Sequence, residues 1–97
     1  MSITITETNK RRNLDQILDV RENFEITEGM IPEAIHIPMG DLSFRFKELD
    51  QNRPVIVVCR SGNRSTQVAN ALKQAGYTAY SITGGMSVWY QNNLPIK

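Results

Sequence analysis

The sequence predicts an α/β fold, in which a mainly parallel sheet of about five strands is covered by helices on both faces. Short apolar runs alternate with helical patterns along the 97 residues, and this alternation is typical of parallel sheets. The run VIVV, residues 55–58, is apolar and β-branched throughout, as expected of a strand buried on both faces. Gly76 ends the most regular helical pattern just before the last apolar run.

In the first half of the chain, three strands alternate with short helices. The opening SITIT alternates isoleucine with threonine, which is typical of a strand, and a polar helical segment follows. The apolar run QILDV predicts a buried strand, and the segment after it is expected to form one helical turn. The run AIHI predicts a third strand. From Leu42, apolar residues recur at i, i+4 and i+7, and Asp41 is expected to cap this helix.

The second half contains the most regular elements. VIVV is the predicted central strand, and a helix with one apolar face is expected from Ser65 onwards. TAYSI, residues 78–82, predicts the last strand. The segment GGMSVWYQNN predicts a short helix opened by glycines, in which Trp89 and its apolar neighbours are expected to be core residues.

Composition favours one small globular domain over residues 1–97. The chain is 40% hydrophobic and 22% charged, and no window approaches the ~18 consecutive apolar residues of a membrane helix. The N-terminus lacks the apolar core of a secretory signal. A single cysteine excludes an internal disulfide and suits a reducing compartment. We therefore expect a cytoplasmic location and no membrane partner.

The charges are distributed unevenly between the two halves. Residues 1–50 have ten acidic and six basic side chains, whereas residues 51–97 have five basic and no acidic ones. Two of these five, Arg60 and Arg64, lie in one short loop. A nucleic-acid site would need a denser basic stripe with interleaved aromatic residues, so no nucleic-acid partner is expected.

The loop CRSGNRS contains the only cysteine, in a position where neighbouring groups can lower the pKa of its thiol. Cys59 directly follows the central strand, and ligands of parallel sheets bind at the carboxyl ends of the strands. Gly62 and Asn63 are the residue types that most readily adopt left-handed backbone angles. A loop curled in this way directs N–H groups inward, where they lower the pKa of a thiol and hold anions. Although a lone cysteine is often simply buried, this context favours a nucleophile.

Three blocks of the sequence resemble the rhodanese family. They are CRSGNRS at residues 59–65, LDVRENFEITEGMIPEAIHIP at residues 18–38, and GGMSVW followed by NLPI near the end. The blocks occur in the family's order and span residues 18–96. Met30 and Glu33 depart from the histidine and glycine that many members have there. The resemblance implies a three-layer rhodanese-like fold.

The resemblance also implies a sulfurtransferase mechanism through a Cys59 persulfide. The expected donor is a small anionic sulfur compound such as thiosulfate, and the expected acceptor is cyanide, an external thiol or a partner protein. No metal or organic cofactor is called for. Asp19 and Arg21 are interpreted as structural support for the loop. The substrate-binding residues are expected to be the rest of the loop: Arg60, Ser61, Gly62, Asn63, Arg64 and Ser65.

Two other functions remain open at this point. A sulfur carrier or regulatory module would accept a persulfide from a partner protein on the same cysteine. A phosphatase of the same fold would use a Cys-x5-Arg loop, whereas here four residues separate Cys59 from Arg64. The shorter loop should fit a phosphoryl group poorly, and it also differs from the loop of mercaptopyruvate-type enzymes.

Overall fold

A computed structural model describes residues 1–97 as five strands and five α-helices. No helix is both long enough and apolar enough to cross a membrane. Two short 3-10 segments, Met39–Asp41 and Phe46–Glu48, flank α3. The elements in chain order are β1 (Ser2–Ile3), α1 (Ile5–Arg11), β2 (Gln16–Asp19), α2 (Asn23–Ile26), β3 (Ile35–His36), α3 (Leu42–Arg45), β4 (Val55–Val58), α4 (Asn63–Gln74), β5 (Ala79–Ile82) and α5 (Gly85–Gln91).

The strands form one sheet in the order β1-β5-β4-β2-β3, and every pairing is parallel. The predicted α/β class and the predicted number of strands are therefore confirmed. β4 lies in the middle, with Leu18 of β2 opposite Val57 on one side and Ala79 of β5 opposite Val55 on the other. This position agrees with the β-branched, fully apolar sequence of β4.

The sheet has an apolar core on each face, because successive side chains of a strand point to opposite sides. Val55 and Val57 belong to the core on the α4 face, whereas Ile56 and Val58 belong to the core on the α5 face. All four side chains are completely buried. Trp89, also completely buried, closes the α5 side, so its interpretation as a core residue is confirmed.

The segment between β3 and β4 is less regular than predicted. Its apolar positions do pack against the core on the α4 face, but α3 is a single turn between two 3-10 segments. Asp41 makes no capping hydrogen bond through its side chain, so its predicted role as a cap is wrong. Nearby, Glu33 has a left-handed backbone (φ 65°), a conformation that a glycine adopts without strain.

Parallel strands place all their carboxyl ends at one edge of the sheet. Asp19, His36, Val58 and Ile82 are the last residues of four of the strands. The segments that follow them, including the Cys59 loop, meet at this edge. The fold therefore brings residues that are far apart in sequence around a single sulfur atom.

Candidate active site

Cys59 directly follows the central strand β4, with its sulfur facing the loop that continues from it. The residue is 1% exposed and packs in the core on the α4 face. Its Sγ accepts hydrogen bonds from the N–H of Gly62 at 3.0 Å and from the N–H of Ser65 at 3.4 Å. The Ser65 hydroxyl lies 3.5 Å from the same sulfur. Cys59 is thus a buried residue whose reactive atom is surrounded by hydrogen-bond donors.

Gly62 allows the loop to curl around the sulfur. Its φ of 115° lies in the region that side chains rarely adopt. This conformation turns its N–H toward Cys59 and leads directly into α4. Asn63, by contrast, is not left-handed: it is the first residue of α4, which begins two residues earlier than the predicted start at Ser65.

The donors around Sγ outweigh the effect of its burial. Burial in low-polarity surroundings raises the pKa of a thiol. Here the hydrogen bonds from the Ser65 hydroxyl and from the N–H groups of Ser65, Gly62 and Ser61 more than offset burial, so the pKa of Cys59 lies below its ordinary value. A larger fraction of the sulfur is therefore present as the nucleophilic thiolate at neutral pH.

The start of α5 fixes the other side of the loop. The N–H of Met86 donates to the Cys59 carbonyl at 2.9 Å, and the N–H of Ser87 donates to the Arg60 carbonyl at 3.0 Å. Gly85 permits this close approach, because a Cβ there would lie 2.5 Å from the Cys59 carbonyl oxygen. These two hydrogen bonds attach the first part of the loop to α5, while the N–H groups of Gly62 and Ser65 point at the sulfur.

The two loop arginines have different surroundings. Arg64 forms a two-pronged ion pair with Glu25 of α2, with N–O distances of 2.7 and 2.9 Å. Its guanidinium is therefore engaged with a carboxylate rather than available as an open fork. Arg60 is exposed and makes no hydrogen bond or ion pair through its side chain. The structure thus leaves the guanidinium of Arg60 unpaired and that of Arg64 engaged, whereas the sequence placed both among the substrate-binding residues.

Glu25 is not among the site residues that the sequence predicts. It is 7% exposed, and it also accepts from the N–H of Glu22. The hydrogen bonds from Arg64 lower the pKa of Glu25 to about 2. The charge distribution indicates where a partner for Arg64 can lie, because residues 51–97 contain no acidic side chain. Any carboxylate partner for Arg64 therefore had to come from the first half.

Replacing Glu25 by glutamine is expected to lower stability at neutral pH and to leave it almost unchanged near pH 2. The folded carboxyl has a depressed pKa, so its contribution is complete above the unfolded value near 4.5 and disappears as the pH falls toward 2. We expect a loss of about 2 kcal/mol at pH 7, after allowing for the partial exposure of Arg64. The measurement is urea unfolding of both proteins at several pH values between 2 and 7.

The matched control is Glu48→Gln, which removes the corresponding Arg45–Glu48 pair. That pair has similar geometry, at 2.8 and 3.2 Å, but its carboxylate side chain is 49% exposed. Exposed pairs contribute little, so this variant should remain close to the wild type across the whole range. An equal loss in both variants, or a Glu25→Gln effect that persists at pH 2, would contradict the assignment.

Asp19 and Arg21 form a buried ion pair beneath the same edge. Arg21 Nη2 is 2.8 Å from Asp19 Oδ2, and both side chains are at most 2% exposed. Burial opposes the charge of Arg21, but the hydrogen bonds to Asp19 dominate and raise its pKa. Arg21 also donates to the Gly29 carbonyl and to the Tyr90 hydroxyl. The pair thus joins the segment carrying Glu25 to α5; its support of the Cys59 loop stays a prediction.

Neither surface cavity of the structure opens onto Cys59. One is an apolar groove between α4 and the segment 39–46, and the other is a polar cleft around Arg12 and Arg53. No three His, Cys, Asp or Glu side chains lie close enough together to hold a metal ion. The neighbouring loop residues Arg60 and Ser61 are exposed.

These features define a class of α/β protein in which one cysteine sits in a loop of main-chain donors at the carboxyl edge of a parallel sheet. The chain belongs to the rhodanese family, because the family model described as a rhodanese-like domain matches residues 4–92. The resemblance seen in the three sequence blocks is thus confirmed.

Relatives of known name agree with this membership. A sulfurtransferase of Allochromatium vinosum is 40% identical over 81 residues, covering 82% of this chain and 76% of its own. The thiosulfate sulfurtransferase GlpE of Shewanella oneidensis is 33% identical over 79 residues, covering 80% and 78%. A Bacillus subtilis protein named as a sulfur carrier is 38% identical over 74 residues, covering 75% of this chain and 40% of its own.

A solved structure gives the same result. A rhodanese-related protein of Thermoplasma volcanium has a TM-score of 0.95 to this chain and is 31% identical, covering 99% of this chain and 96% of its own. The fold prediction is therefore confirmed as rhodanese-like. Together with the named relatives, it supports a transferase of the rhodanese family.

Proposed function

We propose that the protein transfers a sulfane sulfur from thiosulfate, or from a small persulfide, to a thiophilic acceptor through a persulfide on Cys59. The observation that carries this proposal is the contact of Cys59 Sγ with the N–H groups of Gly62 and Ser65. Donors in this position stabilise an anion on the sulfur before reaction. The same donors can stabilise the anionic outer sulfur of the persulfide.

The reaction consists of two displacements. The Cys59 thiolate attacks the outer sulfur of thiosulfate; a bond forms between Sγ and that sulfur, and the sulfur–sulfur bond of the donor breaks. Sulfite leaves with the bonding electron pair, and the persulfide anion remains. The acceptor, cyanide or a thiolate, then attacks the outer sulfur, and the electron pair of that bond returns to Sγ as the thiolate. This covalent route predicts ping-pong kinetics.

The surroundings of Sγ favour a terminal sulfur over a phosphoryl group. Cys59 is 1% exposed, so there is little open space around its sulfur for a bulky group. A terminal sulfur places a single atom at Sγ, whereas a phosphoryl group needs room for three oxygens. Arg64, which would have to hold those oxygens, is already paired with Glu25. Hydrolysis of p-nitrophenyl phosphate should therefore be negligible.

The test of the proposal is mass spectrometry of the protein after treatment with thiosulfate. The peptide that contains Cys59 should gain one sulfur atom, and cyanide should remove it. Because the chain has one cysteine, protein alkylated beforehand is the matched control and should gain nothing. An unmodified peptide at saturating thiosulfate, and again with a small persulfide as donor, would refute the proposal.

Replacing Arg60 by alanine is expected to raise the KM for thiosulfate roughly tenfold without changing stability. Arg60 is exposed and unpaired, so its charge is available to an anionic donor. Arg64→Ala should instead lower stability, because it leaves the buried Glu25 carboxylate without its partner. Steady-state kinetics and thermal unfolding of both variants distinguish these roles. Arg60→Ala with wild-type KM would remove Arg60 from substrate binding.

A sulfur carrier is the second candidate, favoured by the relative that is named as one. A carrier would form the same Cys59 persulfide but receive the sulfur from a partner protein. The two functions differ in turnover, because a sulfurtransferase releases thiocyanate repeatedly from thiosulfate and cyanide. A carrier loaded by a cysteine desulfurase would show a stable persulfide and almost no turnover with thiosulfate.

A further inference from the structure

Two buried hydroxyl groups form a chain that ends at the Cys59 sulfur. Ser65 of α4 is completely buried, and Ser81 of β5 is 4% exposed. Their Oγ atoms are 2.6 Å apart, and Ser65 Oγ is 3.5 Å from Cys59 Sγ. Ser81 lies outside the loop and makes no hydrogen bond to the sulfur, but it contacts the Ser65 hydroxyl.

The Ser65 proton has three acceptors within reach, and one of them is already filled. The acceptors are the Gly62 carbonyl at 3.1 Å, Ser81 Oγ at 2.6 Å and, once the Cys59 thiol is ionised and no longer donates to Ser65, Cys59 Sγ at 3.5 Å. The Gly62 carbonyl accepts from the N–H of Thr66 at 3.1 Å and from the Thr66 hydroxyl at 2.7 Å. A carbonyl oxygen has two lone pairs, so these two bonds satisfy it.

The Ser81 proton decides between the two acceptors that remain. Buried hydroxyl groups are almost always hydrogen-bonded, and the nearest acceptor to Ser81 is Ser65 Oγ at 2.6 Å, a contact in which either hydroxyl can donate. Thr66 Oγ1 lies farther away, at 3.3 Å, and it can accept from Ser81 only while its own proton is donated to the Gly62 carbonyl. When Ser81 donates to Ser65, the proton of Ser65 cannot point back along the same contact. It is then directed at Sγ.

We propose that Ser81 is a positioning residue, which donates to Ser65 Oγ and thereby directs the Ser65 hydroxyl proton at the Cys59 sulfur. A donor aimed at the sulfur stabilises its anionic form, either as the thiolate or as the persulfide. The inference rests on the proposed function in one respect, namely that this anion is the reacting species. Arg64 is the charged group that also acts on the sulfur. Substitutions in the chain of hydroxyl groups leave Arg64 unchanged.

The test is the pH dependence of Cys59 alkylation by iodoacetamide, which reports on this thiol alone because the chain has one cysteine. Ser81→Ala should move the midpoint of the rate profile upward by about half a pH unit, or roughly a threefold loss of thiolate at lower pH. Ser65→Ala should move it further. In the Ser65→Ala background, adding Ser81→Ala should produce no further shift of the midpoint, because Ser81 acts on the sulfur only through the Ser65 hydroxyl. Ser81→Thr, which keeps the hydroxyl, should have the wild-type midpoint.

A second variant tests the same hydrogen-bond arrangement from the protein surface. Thr66 is exposed on α4, and Thr66→Ala leaves one lone pair of the Gly62 carbonyl open to the Ser65 proton. The midpoint should again rise, whereas Thr66→Ser should keep the wild-type value. This variant replaces threonine by a better helix former, so folding is not at risk.

Two outcomes would overturn the inference. One is an unchanged midpoint in both Ser81→Ala and Thr66→Ala. The other is an equal shift by Ser81→Ala with and without the Ser65 hydroxyl, which would mean that Ser81 acts through packing. Neither result depends on thiosulfate. A protein that shows the expected shifts but gains no sulfur from any donor would retain the positioning role and lose the proposed function.

Discussion

Cys59→Ser is expected to abolish thiosulfate:cyanide sulfur transfer, with a loss of roughly 10³-fold or more in kcat. The serine oxygen can occupy the place of the sulfur and keep its contacts with Gly62 and Ser65. It cannot ionise near neutral pH and cannot hold a sulfane sulfur as a stable persulfide. The loss is therefore expected in the chemical step rather than in folding.

The measurement is thiocyanate production by the wild type and the variant, together with thermal unfolding of both. Serine is smaller than cysteine and is satisfied by the same donors, so the unfolding temperature should change by only a few degrees. Cys59→Ala serves as the matched control, because it removes the side-chain donor–acceptor contacts as well and should be equally inactive. Full transfer activity in a folded Cys59→Ser protein would remove Cys59 from the mechanism.

The centre of the fold could be predicted because local sequence and tertiary environment agree there. VIVV is suited to a strand buried on both faces, and β4 occupies that position in the middle of the sheet. The placement of Cys59 at the carboxyl edge follows from the strand boundary alone. Gly62 adopts the left-handed conformation that its residue type suggests.

Helix boundaries were harder to predict from the sequence, because residue type only biases the backbone conformation, and tertiary contacts decide it. Asn63 was expected in a left-handed turn but begins α4, since Gly62 alone completes the curl. Asp41 has the residue type of a helix cap, but its carboxylate makes no capping hydrogen bond. The chain enters α3 from a 3-10 segment instead.

The surroundings of the site depend on pairings that no short stretch of sequence encodes. Arg64 was expected to face the substrate, and its partner Glu25 lies 39 residues earlier in the chain. The uneven distribution of charge indicated that the partner must lie in the first half, but not which of ten acidic residues it would be. Ser81 carried no signal at all, since a serine near the end of a strand is unremarkable until Ser65 is placed beside it.

Gly85→Ala is expected to lower the free energy of unfolding by about 2 kcal/mol and to reduce sulfur transfer roughly 100-fold. Gly85 has a left-handed backbone (φ 59°), which L-residues adopt at a cost. A Cβ at this position would lie 2.5 Å from the Cys59 carbonyl oxygen and 2.7 Å from the Arg60 carbonyl oxygen. Because backbone atoms cannot simply rotate away, either α5 or the Cys59 loop must move.

The loss of activity has a separate cause from the loss of stability. The N–H groups of Met86 and Ser87 hold the carbonyls of Cys59 and Arg60, and a displaced α5 would release them. The loop N–H groups would then no longer converge on the sulfur. Denaturant unfolding measures the first effect, and thiosulfate kinetics together with the alkylation profile of Cys59 measure the second.

Gly40→Ala is the matched control for this variant. Gly40 also follows a strand at the carboxyl edge, but a Cβ there would have no neighbour within 4 Å, and its backbone is not left-handed. This variant should keep both wild-type stability and wild-type activity. If Gly85→Ala behaved in the same way, the close contact between α5 and the Cys59 loop would not be what shapes the site. The N–H groups that surround the Cys59 sulfur would then have to be positioned by Gly62 and α4 alone.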